Sequence, residues 1–243
     1  MPPRAVTSAR SPDIEIAEVD RVDIAVAPWS WRFAVERREE IERNFVRRRR
    51  ERPALWNGRV ILLNRYEISD RVLRGSAFET DYASFLAWRD WDFADPGVFN
   101  MFAAAALRTA DGAYLVGEMG PHTAGAGMVY FPCGTPEPHD IAVDGTFDAA
   151  GSLSRELLEE TGLDIGAVDA EPGWIVVRDR GFFALMKRVT APESAEALRE
   201  KITRYLARES QPELCGIRVV RGRADIDPRM PPFMVAFLEN AWR

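Results

Sequence analysis

Hydrophobic and polar positions along the chain change period several times, and each change predicts an element. Residues 13–28 alternate weakly through Ile14, Ile16, Val22, Ile24 and Val26, which predicts short strands. Residues 29–52 turn helical, with Phe33, Ile41 and Phe45 apolar among many Arg and Glu, and Pro53 stops that helix. "LWNGRVILLNRYEI" at 55–68 reads as a hairpin turn at Asn57-Gly58 leading into a strand. Residues 79–93 predict an amphipathic helix whose Tyr82, Phe85, Leu86 and Trp88 form a core-facing stripe. "ADPG" at 94–97 is a break and marks a domain boundary.

The second part punctuates more sharply. "FNMFAAAALRT" and "AYLVGEMG" are two strands joined at Asp111-Gly112, and "GPHTAGAG" at 120–127 is a glycine-rich loop. A strand then ends in "PCGTPEP", and residues 146–161 form a helix. "WIVVRDRGFFALMKRV" is a hairpin turning at 179–181. A helix at 194–208, a strand in "LCGIRVVRG" and a closing helix in "PRMPPFMVAFLENAW" complete the pattern. Helices interleaved with strands predict an α/β or α+β fold on a mixed sheet. The expected organisation is a flexible tail at 1–12, an N-terminal α+β extension at 13–96 and a second domain at 97–243.

The chain has 243 residues, 47% of them hydrophobic, enough for a real buried core. Its net charge of −6 argues against general nucleic-acid binding, which needs a basic face. Two cysteines without a CxxC pair make a structural zinc site a poor fit and suit a reducing compartment. No run approaches the ~20 apolar residues of a membrane span. The expectation is a cytoplasmic protein with no membrane partner. The arginines at 47–50 read as a solvated helix end, where cations suit the dipole.

The chemistry gathers in "SRELLEETGL" at 154–163. Leu153 and Leu157 make the buried face of its helix, and Asp144 or Thr146 is the expected N-cap. Gly151 costs about 1 kcal/mol there relative to Ala, which predicts a close backbone contact. Glu156, Glu159 and Glu160 gather on one side, where they repel one another and oppose the dipole at the helix end. Two local penalties in one place call for a compensating cation. Clustered carboxylates suit hard ions, Mg²⁺ or Mn²⁺. Gly162 ends the helix.

On Arg155, Glu156, Leu157, Glu159, Glu160, Gly162 and Leu163, with "YFPCG" upstream, the chain resembles the Nudix hydrolase family. The family motif is G-x5-E-x7-R-E-U-x-E-E-x-G-U, and its second half is matched throughout. In the first half Gly134 fits, Asp140 stands where the family has Glu, and fourteen residues replace seven between Asp140 and Arg155. The insertion enlarges the loop "DIAVDGT", so no role is carried over to Asp140 or Glu137.

The resemblance implies an α/β/α sandwich and a pyrophosphohydrolase acting on a nucleoside diphosphate linked to another group. It implies Glu156, Glu159 and Glu160 as metal ligands, joined by the Cys133 carbonyl, with Arg155 orienting them. Glu160, Glu159 or a later acidic residue, Glu209 or Glu213, is the implied base. His122 and Gly134 are expected near substrate. "RPALWNGRV" and "TDYASFLAW" resemble the N-terminal region of the UDP-glucose and UDP-galactose pyrophosphatase branch, which adds Trp56, Asn57, Arg59 and Asp81 as substrate-binding candidates, alongside the reading that they seal the two parts together. Products would then be UMP and a sugar 1-phosphate. Hydrolysis of ADP-ribose, dinucleotides or CoA stays open, as does a non-catalytic Nudix-fold nucleotide-binding module. Homodimer formation is a further open expectation, since many family members dimerise.

Overall fold

The weak alternation at the start of the chain forms two strands, β1 (Glu15–Val19) and β2 (Arg21–Val26), which part at Asp20 and join different sheets. The computed structural model describes residues 14–243; the expected tail at 1–12 lies outside the described residues. A short helix α1 (Arg32–Glu36) and the longer α2 (Arg38–Glu51) follow. Strands β3 (Arg59–Ser69) and β4 (Val72–Asp81) lead into helix α3 (Tyr82–Asp90). The second part supplies β5 (Asn100–Arg108), β6 (Tyr114–Met119), β7 (Val129–Tyr130) and helix α4 (Ala149–Thr161). Then come β8 (Asp169–Ala170), β9 (Trp174–Asp179), β10 (Phe182–Thr190), α5 (Ala195–Leu206), β11 (Leu214–Val220) and α6 (Pro232–Ala241).

The large sheet runs β1-β9-β10-β5-β6-β11, with β7 on β6 and β8 on β10. It is mixed, because β10 and β5 run parallel while the other pairs are antiparallel. Strand β5 is buried on both faces, which is why it reads as a continuous apolar run. Its odd-numbered residues Met101, Ala103, Ala105 and Leu107 face Leu153 and Leu157 of α4 and Leu198 and Ile202 of α5. Its even-numbered Phe102, Ala104 and Ala106 face Phe233, Met234 and Phe237 of α6. Helices on both faces of one mixed sheet make an α/β/α sandwich.

The smaller sheet, β2-β4-β3, packs Ile24, Ile61, Leu63 and Leu73 into the core shared with α4. Its other face carries α1–α3 through Trp31, Phe78, Phe85 and Trp88. Leu63 and Phe99 exchange backbone hydrogen bonds of 3.0 and 2.9 Å across the two parts. The N-terminal residues thus add β1 to the edge of the large sheet and a second sheet beneath it.

Several local readings need correcting. Asn57-Gly58 is not a hairpin turn. The Asn57 side chain instead accepts the Ala83 amide at 2.7 Å, at the start of α3. The hairpin turns at Asp70-Arg71, both with positive φ (50° and 56°) despite having side chains. Arg71 is secured there by Asp20, which takes its Nε and Nη2 at 3.0 and 2.8 Å. Helix α3 is shorter than expected and buried on most sides, since Ala83 to Trp88 are all core. The 29–52 helix is broken at Arg37.

The inserted segment before α4 also has a defined path. Val26 donates to the Gly145 carbonyl at 2.8 Å and Phe147 donates to the Ile24 carbonyl at 2.9 Å. The loop therefore adds itself to the free side of β2.

Candidate active site

Helix α4 begins at Asp148, not at Asp144 or Thr146. Its carboxylate accepts the Gly151 amide at 2.8 Å. A Cβ on Gly151 would lie 2.3 Å from that carboxylate, so the cap side chain, not a neighbouring backbone, requires glycine there. Asp144 makes a local turn with Thr146. Gly162 closes the helix at φ +70°, in the left-handed region. The Tyr205 ring of α5 fills the space a Gly162 Cβ would need, at 2.4 Å, and its hydroxyl donates to the Glu159 carbonyl at 3.1 Å.

Between β5 and β6 the chain at 129–133 inserts itself. Tyr130 pairs with Gly117, and Ala105 donates to the Pro132 carbonyl at 3.0 Å. This carries Cys133 and Gly134 to the side of α4. A Cβ on Gly134 would fall 2.2 Å from Glu156 Oε1. A side chain at 134 would have to displace the Glu156 carboxylate seated there.

Arg155 organises the carboxylates. Its Nη1 donates to Glu156 at 2.7 Å and to Glu159 at 3.0 Å. Its Nη2 donates to both oxygens of buried Asp140, at 3.1 and 3.0 Å. Asp140 also accepts the Glu137 amide at 2.9 Å, which folds the turn before the inserted loop. Asp140 thus partners Arg155 from the position the motif assigns to its first acid, despite the insertion. Burial opposes the Arg155 charge, yet Glu156 and Asp140 outweigh it and hold the guanidinium protonated.

Glu160 is 2% exposed, and neither carboxylate oxygen has a hydrogen-bond partner. Burial, then the charges of Glu156 and Glu213, push its pKa well up; the Cys133 backbone only partly opposes them. Burial also raises Glu156 to about 7 against the pull of Arg155. Glu213 precedes β11 and opens onto the cavity, yet the protein crowding it and the charge of Glu159 raise its pKa, with His122 offsetting part of that. The Cys133 thiol is raised by burial and by Glu160.

A cavity of about 330 Å³ opens beside these groups, lined by Cys133, Gly134, Glu213, Tyr130 and the 123–125 stretch of the glycine-rich loop. Arg52, at the end of α2, donates to the Thr123 carbonyl at 2.7 Å and tethers that loop. Phe102, Phe182, Phe233, Asn100 and Arg89 complete the wall. None of these last five was singled out in the sequence. The signal available was Asn100, a polar residue heading an otherwise apolar strand.

The structure thus brings together Glu156, Glu160, Glu159, Arg155, Glu213, Cys133 and Gly134. His122 is exposed beside Gly120, on the same loop. Glu209 is exposed after α5 and does not line the cavity. Trp56 is 78% exposed, Arg59 pairs with Glu79 at 2.5 Å, and Asp81 caps α3 at Ser84 while pairing with Arg38 at 2.9 Å. Asn57, Arg59 and Asp81 make their contacts within the N-terminal part, and neither they nor Trp56 line the cavity.

Oxygen donors in a buried, negatively charged cluster fit a hard divalent cation. The two Glu160 oxygens, without a well-formed hydrogen bond and with only the Cys133 backbone acting on them, are the observation that fits one best. Among the described residues, no three His, Cys, Asp or Glu side chains converge tightly enough to form a shell on their own. Nor is any helix among them long and apolar enough to cross a membrane.

Neither a family model nor a curated protein matches the chain. Among solved structures it is similar to RenU, a Nudix hydrolase from M. smegmatis, at 15% identity over 60% of this chain and 86% of that one, with a TM-score of 0.39. It is similar to a Nudix hydrolase from Nitrosomonas europaea at 17% identity, 59% and 88% coverage and a TM-score of 0.33. A MutT protein from Methanosarcina mazei gives 14%, 58%, 91% and 0.33. Likeness this partial carries no argument about activity, and the sandwich rests on the strand pairing and helix packing of this chain.

Proposed function

We propose that this chain is a divalent-metal-dependent hydrolase of Nudix type that cleaves the diphosphate of a nucleoside diphosphate linked to a second group, with UDP-sugars the foremost substrate class. The observation that carries this reading is Glu160, buried without a well-formed hydrogen bond and within electrostatic reach of Glu156 and of Glu213, the last of which lines the cavity. A protein keeps such a costly group where a ligand satisfies it.

Glu156, Glu159 and Glu160, with the Cys133 carbonyl, would hold Mg²⁺ or Mn²⁺. The bound ion neutralises phosphoryl charge and polarises the phosphorus toward attack. Arg155 keeps Glu156 and Glu159 on one side of α4 through two charge-assisted hydrogen bonds. Glu213 lines the cavity from the residue before β11, and its raised pKa suits a group that accepts a proton from the attacking water. The bare backbone at 123–125, tethered by Arg52, offers close approach to a phosphate or sugar.

A non-catalytic nucleotide-binding module is the second reading. It is favoured by Arg155 already engaging two of the three glutamates.

The decisive experiment incubates the purified protein with UDP-sugars, ADP-ribose, dinucleoside polyphosphates and CoA, with Mg²⁺, Mn²⁺ or chelator, and measures nucleoside monophosphate release. The hydrolase reading expects metal-dependent release that Glu160→Gln abolishes. No release from any substrate overturns it in favour of the binding module. Release from ADP-ribose, dinucleotides or CoA alone moves the substrate away from UDP-sugars.

A further inference from the structure

Two polar side chains in the cavity wall belong neither to the carboxylate cluster nor to any ion pair among the described residues. Asn100, the first residue of β5, is 7% exposed, and its Oδ1 is buried without a hydrogen-bond partner. Arg89, in the last turn of α3, has no carboxylate partner; its guanidinium lies 5.4 Å from the Phe85 ring. Both line the cavity, together with the rings of Phe102, Phe182 and Phe233.

An interior acceptor without a donor is unfavourable, and the wall is complete only when a ligand supplies the missing N–H. An arginine carries donors and no acceptor, so its ligand partner is an acceptor, and a carbonyl oxygen with two lone pairs suits its forked donors better than a ring nitrogen with one. The surrounding aromatic faces favour a flat group. A planar ring presenting an N–H beside a carbonyl oxygen meets all three demands. That is the lactam edge of a nucleobase such as uracil or guanine. Adenine and cytosine place an amino N–H beside a ring nitrogen, which satisfies Asn100 but offers Arg89 a single-lone-pair nitrogen in place of a carbonyl oxygen.

We propose that Asn100 and Arg89 form the base-specificity end of this cavity: Asn100 Oδ1 accepts the ring N–H of a lactam base, Arg89 donates to its carbonyl oxygen, and the three phenylalanines pack on its faces. The proposal rests on the nucleotide-substrate reading above and deepens it. It also assigns a job to the N-terminal part, because α3 lies outside the sandwich and contributes Arg89.

The test is binding of UDP, GDP, ADP and CDP by calorimetry in chelator, using the full chain and two variants, Asn100→Leu and Arg89→Met. The expected result is at least tenfold tighter binding of UDP or GDP than of ADP and CDP, with the ratio falling to near one in both variants. UDP against GDP identifies which lactam base the cavity admits. Thermal melts confirm that each variant is folded, and a simple packing role for Asn100 would weaken all four ligands alike. Equal binding of all four bases, preference for ADP or CDP, or a ratio unchanged in both folded variants overturns the proposal. Selective binding without hydrolysis of any substrate would sink the hydrolase reading and leave this one standing. Hydrolysis without base selectivity would do the reverse.

Discussion

Arg155 Nη2 reaches fifteen residues back along the chain and donates to both carboxylate oxygens of Asp140, at 3.1 and 3.0 Å. The same guanidinium holds Glu156 and Glu159 through its other terminal nitrogen. Removing Asp140 takes away both acceptors of Arg155 Nη2 and the acceptor of the Glu137 amide, and leaves the guanidinium only Glu156 and Glu159. Asp140→Ala is expected to cost about 3 kcal/mol of unfolding free energy, in line with breaking a buried ion pair. Urea unfolding measures it. Asp140→Glu, which restores the usual acid of the motif, should recover most of the loss. A cost within about 0.5 kcal/mol for Asp140→Ala would show that the pair does not anchor α4.

Stability should depend on pH through Glu156. Its pKa rises from the usual 4.5 to about 7 in the folded, metal-free protein. Below 4.5 the group is protonated in both folded and unfolded chains, so its contribution is fully present. As pH climbs toward 7 the unfolded chain sheds its proton first, and folding loses up to about 3 kcal/mol. Denaturation curves in chelator between pH 4.5 and 7 should show this fall, and Glu156→Gln should reduce it to the part that Glu160 and Glu213 contribute. Mg²⁺ should stabilise more at pH 8 than at pH 5. An identical pH slope in the variant would remove Glu156 as the source.

Glu160 sets stability against function. Replacing its buried carboxylate with an amide of the same shape removes an unpartnered charge. Glu160→Gln should therefore match or exceed the stability of the parent by up to about 2 kcal/mol in chelator, while losing metal-dependent hydrolysis. Melting temperatures with and without Mn²⁺ report both sides, because the variant should also lose metal-induced stabilisation. A variant that is less stable in chelator would mean that Glu160 has a protein partner after all.

Gly162 and Tyr205 form a coupled pair. Gly162→Ala forces a Cβ into the left-handed region and into the Tyr205 ring, 2.4 Å away. The expected cost is about 1 kcal/mol for the backbone alone, and more for the clash. Tyr205→Ala should relieve the clash, so a double-mutant cycle should give a coupling of about 1 kcal/mol or more. Additive effects would show that the ring yields without cost.

Legibility followed sequence distance. Helix α4, its Gly162 stop and the crowded glutamates were readable because spacing within one helix determines which side chains share a face. The hairpins at Asp111-Gly112 and at 179–181 were readable for the same local reason. Asp140 carries no local signal of its role, because the insertion hides its register with Arg155 and only the folded turn brings them together. Asn57-Gly58 carried a strong hairpin signal, but the Asn57 side chain was recruited to the start of α3. The true turn at Asp70-Arg71 has no glycine and is held by Asp20, an ion pair formed across fifty-one residues. The cavity wall was the least legible part. Asn100, Arg89 and Phe233 come from three distant elements, and no pattern within any one of them signals that they meet.

The place of β1 at the outer edge of the large sheet has a practical consequence for anyone shortening this protein. Glu15 to Val19 pair with five of the six residues of β9, from Arg178 to Trp174. A fragment starting near residue 97 would leave that six-residue strand, "WIVVRD", with its backbone donors and acceptors open. Such an edge is a template for pairing with another chain. The fragment should aggregate on expression before its chemistry can be assayed, so trimming is safer inside the large sheet's loops than at its N-terminal border.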